Sequence, residues 1–156
     1  MTSFQEFLHR KAEEQGQSSA RERRDEWIAA VDRLTRQIEG WLRESDPEGV
    51  LDLIPVTFDK AEKGLGPYKI DGLQVGVGEL SARVVPVARN VVGSPRIMGD
   101  GARLAGRVDI TDGIKKYVLR RVLKDGSETW EVLDDHFGAA PFDRDRLESI
   151  LQDLLA

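Results

Sequence analysis

The sequence predicts an α+β fold: an antiparallel sheet of about five strands, packed on one face by a long N-terminal helix and a C-terminal helix. Three observations carry that expectation. Trp27, Val31, Leu34, Ile38 and Trp41 follow one another at four- and three-residue steps, which places them on one side of a helix. Residues 50–134 switch to a two-residue period broken by turn dipeptides. Leu147, Ile150, Leu151, Leu154 and Leu155 then restore helical spacing. At 156 residues the chain suits a single domain, divided into a helical segment (1–45), an antiparallel β meander (50–134) and a C-terminal helix (142–155).

The helical segment reads as two helices or one broken one. Phe4, Phe7, Leu8 and Ala12 form the apolar side of the first, and Gly16 interrupts it. Ser19 followed by Glu22 has capping-box spacing, so the second helix is expected to start near Ala20. Asp46-Pro47 ends it near Glu44. The Trp27–Trp41 stripe spans only two heptads, and Ile28 and Leu42 widen it. That favours a helix roofing the chain's own sheet over a coiled-coil seam, with a partner groove as the alternative.

The strand candidates are 50–58, 73–77, 80–89, 104–110, 115–124 and 127–134. Pro55 and Pro86 mark edges or bulges. Asp125-Gly126 is a two-residue hairpin turn, which fixes a register: Lys124 faces Ser127, Leu123 faces Glu128, Arg121 faces Trp130 and Leu119 faces Val132. On the other face Val122 meets Thr129 and Arg120 meets Glu131, an ion pair suited to solvent. Residues 114–124 also fit a helical period, but the turn and the β-branched content favour a strand. The final helix begins after Pro141-Phe142-Asp143, with acidic residues in its first turn.

Composition narrows the function. Net charge is −5, and no segment is strongly basic, so nucleic-acid binding is unlikely. No run approaches the roughly 20 apolar residues that span a bilayer. The N-terminus lacks the basic and apolar segments of a secretory signal, so a cytoplasmic location is expected. Arg outnumbers Lys 16 to 7, a bias common in GC-rich bacterial genomes. The chain has no cysteine, which removes thiolate chemistry, disulfides and Cys-ligated zinc. Two distant histidines, His9 and His136, make no metal motif, and no cofactor motif is present. Gly64-Leu65-Gly66 and Gly72–Gly78 lack the residues of phosphate-binding loops and read as turns and strand.

The expected function is a non-catalytic protein-interaction or binding module that self-associates or takes a protein partner. Phe4, Phe7 and Leu8 are its candidate surface. The alternative is a small-anion site built from Arg96, Arg103 and Arg107 around Gly99-Asp100-Gly101. A third reading, an enzyme centred on His136 and Asp135, lacks a nucleophile or a third polar group in the sequence.

Overall fold

A computed structural model describes residues 2–90, 101–133 and 138–156, without the side chains of residues 15–18. Helix α1 (Ser3–Ser45) is one continuous helix of 43 residues, about 64 Å long at 1.5 Å per residue. The expected break at Gly16 does not occur. A glycine inside a helix costs only about 1 kcal/mol relative to alanine, and strong helix formers flank it on both sides. The capping box sits at the chain start instead. The Thr2 hydroxyl accepts from the Gln5 backbone N–H at 3.2 Å, and the Gln5 side chain accepts from the Thr2 N–H at 2.9 Å. At the other end the Asp46 carboxylate accepts the backbone N–H groups of Leu51 and Val50 at 2.8 and 2.9 Å. Those two bonds hold its carboxyl below the usual range.

Among the described residues the sheet has seven antiparallel strands rather than about five, in the order of the sequence. They are β1 (Asp52–Glu62), β2 (Gly66–Val77), β3 (Leu80–Ala88), β4 (Arg103–Thr111), β5 (Lys116–Lys124), β6 (Ser127–Leu133) and β7 (Ala139–Pro141). Three-residue β7 is too short to show alternation in sequence. Helix α2 (Arg144–Leu154) follows, its first turn capped by Asp143, which accepts from the Arg146 N–H at 2.8 Å. The β5–β6 register matches the expected one residue for residue from Leu119↔Val132 to Lys124↔Ser127. Residues 116–124 are therefore strand, not helix.

Both prolines sit where a missing N–H does least harm. Pro55 lies on edge strand β1, and Pro86 sits at a register shift between β3 and β4. The β1–β2 hairpin changes its buried face half-way. Leu73 and Val75 are buried at odd positions and Tyr68 and Ile70 at even ones, yet the pairing with β1 runs on without a slip. The hairpin therefore twists near Pro55 and Gly72 and turns its opposite face inward beyond them. Gly72 allows this, because a Cβ there would lie 2.1 Å from the Val84 carbonyl oxygen.

A single apolar cluster joins α1, the sheet and α2. The Trp27 stripe belongs to it. Trp27, Val31, Leu34 and Ile38 are at most 1 % exposed, and half-buried Trp41 meets Phe142 edge-on at 5.7 Å. Each such aliphatic or aromatic side chain contributes roughly 1.5–3 kcal/mol by leaving water. The stripe is intrachain core. Trp27 also lies 6.3 Å from Trp130 of β6. Its six-membered ring covers Gly106 of β4. On α2, Leu147, Ile150, Leu151 and Leu154 are buried, and Tyr117 and Lys115 both bond Asp153, which ties the helix to β5.

Candidate functional site

The N-terminal part of α1 leaves the body of the protein. Every residue from Ser3 to Glu14 is exposed, and full burial begins only at Trp27. Residues 3–20 thus form an arm about 26 Å long. Near its tip the side-chain contacts are local. The Phe4 and Phe7 rings lie 6.4 Å apart, and the charged groups of Arg10 and Lys11 sit 5.9 Å from the Phe7 ring. Phe4 is 66 %, Phe7 42 % and Leu8 49 % exposed. These are the three residues expected from sequence to form an interaction surface, and the arm places them together at its tip. The root of the arm is anchored: Arg23 donates to the Gly64 carbonyl at 2.8 Å and Arg24 to the Leu65 carbonyl at 3.1 Å. This explains the arginines clustered at residues 21–24, since two of them bind the β1–β2 turn to the helix.

A second cluster lies where α1 crosses the β5–β6 turn. Arg121 is 1 % exposed. Its guanidinium donates to both carboxylate oxygens of Glu26, to Glu128 at 2.6 Å and to the Ala105 carbonyl at 3.4 Å. Arg33 donates to the same Glu128 at 2.9 Å. Two arginines and two carboxylates therefore join α1 to β5 and β6. Burial works against a charged Arg121, and the two carboxylates more than offset it. The sequence places Arg121 beside Trp130 on the bulky face of the hairpin, within the basic run Lys115, Lys116, Arg120 and Arg121 that could hold a phosphate or carboxylate. A charged side chain on that face was the available signal.

The proposed anion residues separate. Arg103 is in register with Leu123 and Arg107 with Arg120, and these two β5 residues point to opposite faces. A bulge is the cause: Ala105 and Gly106 together oppose Arg121, and the extra residue inverts the alternation. Arg107 is held by Asp109 in a two-pronged pair at 2.9 and 3.0 Å, which raises its pKa. Arg103 lies on the α1 face and makes no side-chain hydrogen bond or ion pair among the described residues. It lines a charged cavity of about 450 Å³ with Glu26, Arg33, Arg121 and Glu128. Arg96, His136, Asp135 and the Gly99-Asp100 part of the loop lie outside the described residues. His9 is exposed on the arm. Among the described residues no group of three or more His, Asp or Glu side chains is placed to hold a metal ion, and no helix is long and apolar enough to cross a membrane.

A larger cleft of about 660 Å³ lies between the C-terminal end of α1 and helix α2. Leu42, Leu51, Leu151 and Leu155 line it, and Glu44, Arg144 and Glu148 rim it. Arg144 bonds Glu44 at 3.0 Å and Glu148 at 3.2 Å. Comparison with protein-family models, with curated proteins and with solved structures finds no match for this chain.

Proposed function

We propose that this chain is a non-catalytic protein-interaction module: a sheet-anchored helix that presents its free N-terminal arm as the docking surface. The observation that carries this reading is the contrast along one helix. Residues 27–42 are spent on the core, while Phe4, Phe7 and Leu8 stay exposed together at the tip. Three large apolar side chains at helical spacing, with Arg10 and Lys11 one turn away, suit a groove that takes an amphipathic helix. Photocrosslinking tests this directly. With benzoylphenylalanine in place of Phe7, the full-length protein in its native cells is expected to form a discrete protein adduct. Complete absence of any adduct, homotypic or heterotypic, overturns the reading.

A second reading, binding of a small anion, rests on Arg103, whose guanidinium faces the charged cavity without a partner among the described residues. Inorganic phosphate is then expected to raise the melting temperature of the wild type and not of Arg103→Ala. Equal responses from the two proteins remove this reading.

A further inference from the structure

Two apolar features among the described residues lie at opposite ends of α1. One is the arm tip with Phe4, Phe7 and Leu8. The other is the Leu-lined cleft beside Leu42 and α2. From residue 4 to residue 44 is about 60 Å along one unbroken helix, so no chain can fill its own cleft. We propose that the arm of one copy docks in the α1–α2 cleft of a second copy, and that the exchange is reciprocal. This rests on the reading of the arm as a docking surface.

A two-fold axis passing near residue 24 of both helices sets the α1 helices antiparallel and brings residue 4 of each beside residue 44 of the other. A single operation fills both clefts and closes the assembly as a dimer rather than a filament. The charges along the exposed side of α1 agree with that placement. Arg10 and Lys11 fall beside the stretch containing Glu39, which is exposed enough to meet them, with a side-chain exposure of 31 %. Glu13 and Glu14 fall beside Arg36, whose side chain is 78 % exposed. Within each chain Lys11 already pairs with Glu14 at 3.2 Å, Arg36 with Asp32 at 2.8 Å and Arg43 with Glu39 at 3.6 Å, so the crossing joins exposed pairs into basic-to-acidic networks, and the symmetry doubles each contact. Covering the exposed parts of Phe4, Phe7 and Leu8 removes about 300 Å² per arm, or about 600 Å² for the reciprocal pair, with the flanking α1 surfaces adding to the contact.

The natural absence of cysteine makes the geometry testable in the full-length chain. Phe4→Cys mixed with Gln152→Cys is expected to give a mixed disulfide on mild oxidation, because Gln152 is exposed and lines the cleft. Phe4→Cys alone is expected to stay reduced, since the two tips lie about 60 Å apart. Sedimentation equilibrium is expected to show a dimer. Leu8→Glu on the arm and Leu155→Glu at the half-buried cleft edge should each weaken it by about tenfold or more. Far-ultraviolet circular dichroism verifies that both variants are folded. A wild type that stays monomeric at about 100 μM, or a Phe4→Cys homodisulfide as the main product, overturns the inference. A monomer whose position-7 crosslinker captures a different protein overturns it too, while leaving the docking-arm reading intact. A monomer with no adduct at all overturns both.

Discussion

Replacing Gly106 by alanine is expected to destabilise the fold by roughly 3–5 kcal/mol. A Cβ at this position would lie 2.1 and 2.6 Å from two carbons of the Trp27 ring. The ring cannot retreat easily, because Trp27 is fully buried in the cluster and Trp130 stands 6.3 Å away. Backbone geometry adds to the cost, since Gly106 has φ +156°, a region that other residues rarely adopt. Urea midpoints of wild type and Gly106→Ala give the measurement. Trp27→Ala alone is expected to cost about 3–5 kcal/mol through the cavity it leaves. The double variant should then be far more stable than the two losses added together, because the new methyl group enters the emptied space. A Gly106→Ala protein within about 1 kcal/mol of wild type shows that the indole does not rest on this glycine.

Gly106 also shows which parts of the fold are legible in the sequence. The β5–β6 hairpin is, because Asp125-Gly126 fixes the loop at two residues and the two-residue period then assigns every pair. The helices are, because Trp27–Trp41 and Leu147–Leu155 keep their spacing over several turns. The β4 bulge is not. It changes the alternation by one residue, at an alanine and a glycine that carry almost no pattern. The same difficulty hides the full length of β1 and β2. Their buried side switches near Pro55 and Gly72, so Leu53 and Phe58 look out of phase although they belong to one strand. Gly16 misleads in the opposite direction: its local cost is too small to end a helix whose stability comes from packing farther along.

The candidate sites divide along similar lines. The exposed apolar tip is readable because the apolar stripe stops upstream of Trp27, where Arg24 and Ala20 occupy the seam, but its place on one continuous helix is not, because Gly16 reads as a break. The separation of Arg103 from Arg107 is unreadable for the same reason as the bulge that causes it. The α1–α2 cleft depends on how two elements more than 90 residues apart come together, and no local pattern encodes that.

Removing both carboxylates from Arg121, in the double variant Glu26→Gln with Glu128→Gln, is expected to cost about 3–5 kcal/mol. The guanidinium side chain is 2 % exposed, so water replaces little of what it loses, and the Ala105 carbonyl at 3.4 Å is a weak substitute. Attraction alone is not the reason for the cost. An ion pair taken out of water roughly breaks even, and the loss comes from leaving one charge behind. Adding Arg121→Met to the double variant removes that charge and keeps the apolar stem, so the triple variant should recover most of the stability. Acid probes the same network. Burial by itself raises the Glu128 pKa, but hydrogen bonds from Arg33 and Arg121 reverse this and hold it below the usual 4.5. A carboxyl with a depressed folded-state pKa stabilises the fold above its unfolded value and loses that contribution as pH falls through the folded one. Wild-type stability should therefore fall more steeply than that of Glu128→Gln on acidification below about pH 4.5. Urea midpoints at neutral and acid pH measure both effects. A double variant within about 1 kcal/mol of wild type, or a triple variant no better than the double, means that Arg121 is not held by these two carboxylates.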